Sequence, residues 1–302
     1  MFTLKDKGNA IPIARITGGK YNKKIIYLNQ DENLHFNGGK EESTDDSECS
    51  DCHKSFSRPD ALRRHLKSNA CKIAFAKSYA GKLSQEKAKV FNELEINDGK
   101  IEIIPDNSMG RVVYYLAGPS GSGKSYLAGQ IIKQLQNEKD CNVYLFSPIE
   151  GDEAFADIPN VCQITVDEEF VKEPLEPTEM NNSIVVFDDI DSFDKKYAKV
   201  VKELQSKCLK IGRHNNLDVF STNHLLTDYH KTRDLLNEAK DIVIYPKFST
   251  QMSVNHILKE YAGLGKKQID NVCDLDSRWV CIHKHVPQYI VSERKISTLK
   301  DI

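Results

Sequence analysis

Long hydrophobic runs are missing from this sequence of 302 residues. No apolar stretch approaches the about 20 residues that a helix needs to cross a bilayer. The first seven residues, Met1 to Lys7, also lack the apolar core of a signal peptide. We therefore expect a globular protein with no membrane partner.

An excess of charge of one sign is missing as well. The chain has 42 basic and 44 acidic residues, for a formal net charge of -2. This balance excludes a strongly basic surface overall. Any contact with nucleic acid must therefore come from a local basic patch.

The eight cysteines are not spaced as a disulfide framework. Three fall within 49–71, and the others are scattered among apolar segments. This usage favours a reducing compartment.

Short apolar segments alternate with helical stretches over the C-terminal two thirds of the chain. The predicted strands are 101–104, 112–116, 142–146, 183–187, 217–221 and 241–245, and the predicted helices are 125–136 and 197–211. Continuous apolar strands separated by helices are typical of a parallel sheet covered on both faces. The sequence therefore predicts an α/β fold with a mainly parallel sheet between helices.

A glycine-rich segment with the pattern Gly-x4-Gly-Lys-Ser joins one of these strands to a helix. It comprises Gly118, Pro119, Ser120, Gly121, Ser122, Gly123, Lys124 and Ser125. The glycines let backbone N–H groups point at phosphate oxygens, and the helix N-terminus adds a positive dipole end. Lys124 would neutralise the β- and γ-phosphates, and Ser125 would ligate Mg²⁺. We predict a binding site for a nucleoside triphosphate, ATP with Mg²⁺.

A second motif is the apolar strand that ends in Asp188 and Asp189. The carboxyl ends of parallel strands meet at one edge of the sheet, so both acids should lie beside the phosphate loop. We assign Asp188 to the Mg²⁺ shell and Asp189 to polarising the attacking water. Asp191 is interpreted as a surface acid.

A third motif supplies groups that could respond to the γ-phosphate. Asn223 and His224 follow the strand at 217–221, and both are candidate sensors. Arg213 and Arg233 are candidate arginines for transition-state charge, within the chain or across a subunit interface. The sequence leaves both choices open.

A separate unit at 49–72 has metal-ligand spacing: Cys49-x2-Cys52-x12-His65-x5-Cys71. Phe56 lies where a ββα zinc finger keeps a core residue. Four N and S ligands suit tetrahedral Zn²⁺, so we predict a C2H2-like finger with Cys in place of the last His. Its partner could be DNA or protein.

These motifs divide the chain into five predicted regions. They are a β-hairpin in 1–28, an acidic linker at 29–48, the zinc finger at 49–72, a helical linker at 73–99 and a P-loop ATPase domain at 100–302.

In combination, the motifs resemble the FtsK–HerA group of P-loop ATPases, and within it the DNA-packaging ATPases of large double-stranded DNA viruses and virophages. The resemblance rests on the phosphate loop, on Ser147-Pro148-Ile149 with Asp152, and on the segments 187–191, 212–216 and 287–292. It covers about residue 100 to the C-terminus. The sequence departs from the family where Asp189 stands in place of the usual Glu, and near Asn223 and His224, where Gln is usual.

The resemblance implies a RecA-like core and a ring-shaped homo-oligomer that translocates double-stranded DNA by hydrolysing ATP. It also implies a capsid or portal-vertex partner and a place in the host cytoplasm, the virus factory or the virion. Two alternatives stay open: a zinc-finger nucleic-acid-binding regulator with an ATP-dependent switch, and a small-substrate kinase.

Overall fold

The structure, a computed structural model, describes residues 2–6, 10–29, 92–106, 110–228, 231–299 and 302. The strands in this part of the chain are β1 (Phe2–Thr3), β2 (Ile11–Thr17), β3 (Ile25–Leu28), β4 (Glu93–Glu95), β5 (Lys100–Ile103), β6 (Val113–Ala117), β7 (Val143–Phe146), β8 (Val161–Gln163), β9 (Ile184–Asp188), β10 (Asp218–Asn223), β11 (Asp241–Ile244), β12 (Val280–His283), β13 (Tyr289–Ser292) and β14 (Lys295–Thr298). The α-helices are α1 (Lys124–Lys139), α2 (Glu153–Ala156), α3 (Glu168–Lys172), α4 (Lys195–Ile211), α5 (Arg233–Glu238), α6 (Gln251–Glu260) and α7 (Lys266–Cys273). Short 3-10 helices lie at Pro177–Met180, Ile190–Ser192 and Pro246–Phe248.

A sheet of ten strands forms the centre of the fold. Its order is β4-β14-β13-β12-β11-β6-β10-β9-β7-β8. The strands from β11 to β8 in this order run parallel, and β12, β13, β14 and β4 extend the sheet with antiparallel pairs. The predicted α/β core with a mainly parallel sheet between helices is confirmed.

Both faces of the central strands β6, β9, β10 and β11 are buried, which explains why these strands are largely apolar. Along β6, Tyr115 and its alternate neighbours Val113 and Ala117 face the core beneath α3 to α7. Tyr114 and Leu116 face the second core, which α1, α2 and the N-terminal strands cover. Successive side chains of a strand point to opposite faces, so an unbroken apolar run is what a doubly covered strand requires.

The parallel strands end at a common edge, and the phosphate loop begins there. β10 lies between β6, which leads into that loop, and β9, which ends in Asp188. Residue Asn223 pairs with Ala117, and Thr222 pairs with Asp188. One strand therefore sits between the two nucleotide motifs.

The N-terminal strands belong to a second sheet of order β1-β3-β2-β5. β2 pairs with β3 as an antiparallel hairpin and with β5 on its other side. Phe2 is fully buried, and its ring meets that of Tyr289 edge-on at 5.9 Å between centroids. The hairpin is thus packed into the same unit as the large sheet rather than forming a region of its own.

The predicted boundary at residue 100 also needs correction. Residues 93–95, predicted as the end of a helical linker, form β4, which pairs with β14 at the edge of the large sheet. Ile96, which follows, is 3% exposed. Pairing with a strand distant in sequence outweighs the local helical character, and the rest of the predicted linker lies outside the described residues.

Local pattern located the central elements, the N-terminal hairpin and β5, but not the other peripheral elements. The structure adds α2, β8 and α3 between β7 and β9, and the antiparallel strands after α7. Among the residues that the structure describes, no helix is both long enough and apolar enough to span a membrane.

Gly129 in α1 yields a prediction about packing. A Cβ at this position would lie 2.1 Å from the backbone oxygen of Ala154, where α2 crosses α1. We expect Gly129→Ala to lower the free energy of unfolding by about 1–3 kcal/mol, the usual cost of overpacking. Thermal unfolding of the purified chain measures this.

The matched control is Asn137→Ala on the exposed side of the same helix. It should be neutral or slightly stabilising because Ala is the better helix former. A Gly129→Ala protein that melts above the wild type would show that helix propensity outweighs the contact, contrary to this account.

Candidate active site

The phosphate loop is held between β10 and the segment after β11. The Gly118 amide donates to the Asn223 carbonyl at 3.0 Å. A Cβ on Gly118 would lie 2.8 Å from the ring of Tyr245, so this position has no room for a side chain. Gly121 and Gly123 have φ of +75° and +100°, the left-handed region that favours glycine. Gly118 is therefore required because there is no space for a side chain, and Gly121 and Gly123 are required because of their backbone conformation.

The loop opens onto the N-terminus of α1, which begins at Lys124. Free amide groups and the helix dipole favour an anion at this position. The Ser122 hydroxyl is buried in the loop without a hydrogen-bond partner among the described residues. The arrangement can bind the phosphates of a nucleotide.

Lys124 is buried and lies beside two predicted site residues. Its ammonium nitrogen is 3.5 Å from Asp189 Oδ2 and 3.4 Å from His224 Nδ1. His224 Nε2 is 3.2 Å from the same Asp189 oxygen. This geometry fits the tautomer in which Nε2–H donates to Asp189 and Nδ1 accepts from Lys124. A phosphate in the loop would compete with Asp189 for the lysine.

Asp188 lies deeper and is surrounded by hydroxyl groups. Its Oδ1 accepts from Ser125 Oγ at 3.0 Å and from Thr222 Oγ1 at 2.7 Å, and its Oδ2 accepts from Ser147 Oγ at 3.1 Å. Burial raises the pKa of Asp188 and the negative charge of Asp189 adds to this, while the three hydroxyl donors act in the opposite direction. The carboxylate is thus desolvated but well hydrogen-bonded.

This cluster of oxygen atoms fits Mg²⁺. The ion prefers hard oxygen ligands and is commonly bound by one or two carboxylates together with substrate phosphates. Asp188 and Ser125 could hold it, with Ser147 and Thr222 orienting the carboxylate. Within the described ranges no cluster of three or more His, Cys, Asp or Glu side chains could hold a metal alone. Phosphate oxygens and water would complete the shell.

The backbone at Asp189 is left-handed, with φ 43° and ψ 40°. Its amide donates to Thr222 Oγ1 at 3.0 Å, which secures this conformation. Asp and Asn adopt the left-handed region more readily than other side chains with a Cβ. The turn directs the Asp189 carboxylate toward Lys124, while Asp188 faces Ser125.

The two candidate sensors face opposite sides of the sheet. Asn223 Oδ1 accepts from Ser221 Oγ at 2.9 Å, and that hydroxyl accepts from Gln205 of α4 at 3.1 Å. His224 instead contacts Lys124. The structure therefore brings His224, and not the Asn223 side chain, to the phosphate-binding lysine.

Arg213 is not brought to the phosphate loop of its own chain. It follows α4 and precedes β10, at the amino edge of the parallel strands, so the length of β10 separates it from the loop. At ~3.3 Å per residue this is on the order of 17 Å. Arg213 lines a cavity of about 380 Å³ with Arg111, Lys240 and His285. This position argues against the prediction that Arg213 stabilises transition-state charge at the phosphate loop of its own chain.

Arg233 begins α5 and lines a different cavity, between α4 and α5. Lys202 and Asp234 share this cavity, and no residue of the phosphate loop does. The predicted zinc ligands Cys49, Cys52, His65 and Cys71 lie outside the described residues.

Sequence reasoning missed the contact of Arg278 with the phosphate loop. Its Nη2 donates to the Ser122 carbonyl at 3.2 Å. Arg278 lies more than 150 residues further along the chain, just before β12, and belongs to no motif. The hydrogen bonds that Thr222 and Ser147 donate to Asp188 were missed too, because these contacts depend on strand register.

Family models match two parts of the chain. Residues 114–241 match the ATPase family associated with various cellular activities (AAA), and this range spans the phosphate loop and both acids. Residues 47–68 match the C2H2-type zinc finger, a range that includes Cys49, Cys52 and His65 but not Cys71.

Comparison with known proteins finds a relative at substantial identity. The chain is 37% identical over 236 residues to "Uncharacterized protein V3" of the Sputnik virophage, covering 74% of this chain and 95% of that protein. Among solved structures, it is similar to the genome packaging NTPase B204 from Sulfolobus turreted icosahedral virus 2 in complex with AMP, with 13% identity, a TM-score of 0.44 and coverage of 61% of this chain and 97% of that chain. It is also similar to the cytoplasmic domain of the Type VII secretion ATPase EccC from Thermomonospora curvata, with 13% identity, a TM-score of 0.44 and coverage of 68% and 28%.

The environment of Asp188 yields a prediction about stability and pH. Because its pKa is raised in the folded protein, ionisation of Asp188 lowers stability as the pH rises from the ordinary pKa of an Asp carboxyl, and the loss is complete above the raised pKa. We expect Asp188→Asn to increase the free energy of unfolding by about 1 kcal/mol at pH 7.5, or ~2–4 °C in melting temperature. The difference should vanish near pH 4, the ordinary range of an Asp carboxyl.

Asp157→Asn is the control, because the Asp157 side chain is 90% exposed. It should change stability by less than about 0.5 kcal/mol. An Asp188→Asn protein that is less stable than the wild type at pH 7.5 would mean that the hydroxyl bonds outweigh desolvation.

Proposed function

This chain is an ATPase that belongs to one family with protein V3 of the Sputnik virophage, and we propose that it uses ATP hydrolysis to move double-stranded viral DNA into a capsid. The observation that carries the hydrolytic part is the convergence of Lys124, Asp189 and His224 at the N-terminus of α1. The cargo is supported by the combination of motifs that resembles the packaging branch of the FtsK–HerA group.

The proposed chemistry assigns one task to each group. Lys124 neutralises the phosphates, and Asp189 orients and deprotonates the attacking water. His224 holds the Asp189 carboxylate and responds when Lys124 leaves it for a phosphate. Asp188 and Ser125 would hold Mg²⁺, which would supply charge neutralisation at the β- and γ-phosphates.

An oligomeric ring is supported by the position of Arg213. Since it lies at the edge of the sheet opposite the phosphate loop, it could reach a γ-phosphate only in a neighbouring subunit. Arg111, Lys210 and Lys240 line the same cavity as Arg213, where Glu238 is the acidic side chain, so the cavity carries a net positive charge. This is the local patch that a chain with balanced charge needs in order to attract a polyanion. Arg233 remains the second candidate.

The zinc finger is proposed as an accessory unit. The C2H2 match over 47–68 supports it, and Cys71 is our fourth ligand. Metal binding would supply the folding energy that so small a unit lacks. Its partner would be DNA or a capsid or portal-vertex protein, in the host cytoplasm, the virus factory or the virion.

The two alternatives make different predictions about turnover. A regulator that uses ATP as a switch would hydrolyse it slowly and bind chosen DNA sequences. A small-substrate kinase would transfer the γ-phosphate to a nucleoside or nucleotide rather than release it.

The proposed function predicts that duplex DNA stimulates ATP hydrolysis several-fold. Phosphate release is measured with the full chain, with and without duplex DNA, beside the mass of the assembly. Stimulation should require the oligomer and should weaken as salt rises, because phosphate contacts release counterions. Single-stranded DNA of equal length is the control. An equal rate of hydrolysis with and without duplex DNA would contradict translocation.

A second prediction concerns Asp189. Asn keeps the left-handed backbone but removes the negative charge that competes for Lys124. We expect Asp189→Asn to lower kcat by about 100-fold or more, the usual contribution of a general base, and to bind ATP at least as tightly as the wild type. Lys124→Ala should instead lose binding.

Asp191→Asn is the matched control for the loss of an acid, because Asp191 pairs with Lys202 and Lys231 on the surface rather than with Lys124. It should keep its activity. If Asp189→Asn hydrolyses ATP at the wild-type rate, the base is another group.

A further inference from the structure

The chain leaving β11 passes directly beside the phosphate loop. Ile244 of β11 pairs with Ala117 of β6, so the segment 245–248 and the loop leave the sheet side by side. Tyr245 packs its ring against Gly118. Phe248, at the end of the following 3-10 helix, is 46% exposed. A large aromatic ring is thus presented to solvent next to the nucleotide-binding backbone.

Arg278 approaches the same place from the neighbouring strand. β12 pairs with β11 so that Val280 lies opposite Ile244, and Arg278 therefore stands at the same edge. Its guanidinium carbon lies 5.6 Å from the centre of the Phe248 ring, within the range of a cation–π contact. Its Nη2 also donates to the Ser122 carbonyl. One guanidinium thereby connects the phosphate loop to the aromatic ring.

The backbone of Arg278 is secured as well. Its amide donates to the Glu293 carboxylate at 2.8 Å, and the amide of Glu293 donates to Ser277 Oγ at 3.0 Å. These bonds fix the turn that precedes β12. Arg278 is exposed, but its backbone is held by these hydrogen bonds. Binding residues are typically held in place in this way.

The order of strands indicates which way a bound nucleotide would lie along the phosphate loop. The groups suited to the γ-phosphate and Mg²⁺, which are Lys124, Asp188 and Asp189, meet at the carboxyl ends of β9 and β10. Phe248 and Arg278 lie on the other side of β6, at the end of β11 and the start of β12. A phosphate chain along the loop with its γ end toward β9 therefore extends its nucleoside toward Phe248 and Arg278.

We propose that Phe248 and Arg278 form the nucleobase subsite of this ATPase. The base stacks on the Phe248 ring and the Arg278 guanidinium plane, while the phosphate loop holds the phosphates. Stacking uses the π-face that every base has, so ADP and GDP should both depend on the ring. The inference rests on nucleotide binding at the phosphate loop and adds to it the residues that hold the base.

The test compares ADP, GDP and inorganic pyrophosphate, which has the same diphosphate without the nucleoside. Affinities are measured by calorimetry with Mg²⁺ and the full chain. Phe248→Ala should weaken ADP and GDP about tenfold and leave pyrophosphate within about twofold. Phe248→Leu, which keeps apolar bulk without a π-face, should lose affinity similarly. Phe248→Trp should retain it.

Two controls separate this subsite from the phosphate loop and from general surface effects. Lys124→Ala should weaken all three ligands, and if it does not, nucleotide binding at the loop is itself wrong. Met252→Ala removes another exposed apolar side chain, 80% exposed in α6, and should change none.

Equal weakening of pyrophosphate and ADP by Phe248→Ala would overturn the proposal, because the ring would then only brace the loop. Unchanged ADP affinity in Phe248→Ala, or full affinity in Phe248→Leu, would also overturn it. Thermal melting of each variant checks that the fold is intact, which the exposure of Phe248 leads us to expect.

Discussion

Both edges of β10 are paired to strands that carry nucleotide motifs, so the register of this one strand positions the whole site. Thr222 lies opposite Asp188 on one side, and Asn223 lies opposite Ala117 on the other. A shift by a single residue would turn Thr222 away from the carboxylates and bring Asn223 in its place, because side chains alternate across a strand. It would also separate the Gly118 amide from the Asn223 carbonyl. The apolar residues that β10 buries on both faces oppose such a shift, so packing of the core stabilises the geometry of the site.

That geometry places charges where water is largely excluded. Burying Lys124 and Asp188 is unfavourable on its own, and each has partners that reduce the cost: Asp189 and His224 for the lysine, three hydroxyls for the carboxylate. The raised pKa of Asp188 shows that the compensation is incomplete. A cation at the cluster and a phosphate in the loop would supply the remaining charge, so ligand binding and folding stability are linked through the same residues.

Features that depend on a few consecutive residues could be predicted from the sequence, and features that depend on pairing between distant segments could not. The phosphate loop, the helix after it and the acids ending β9 depend on a few consecutive residues, and their pattern was sufficient. The alternation of apolar strands and helices likewise gave the parallel core. The choice between Asn223 and His224 required the pleat of β10, and Arg278 required pairing between β11 and β12. The strand at 93–95 was misassigned because its partner, β14, comes about 200 residues later, beyond the reach of local propensity. The function of His224, Arg213 and Arg233 stays a prediction.

The pairing of β2 with β5 and of β4 with β14 has one more consequence. Residues 30–91, which contain the proposed zinc ligands, connect β3 in the small sheet to β4 in the large one, so they interrupt the ATPase rather than precede it. In topological terms the segment is an insertion. A chain that ran from Asn29 to Asn92 through a short linker would keep every strand pair of the enzyme. Removing or replacing residues 30–91 is therefore an internal splice between two paired strands rather than a truncation of one end.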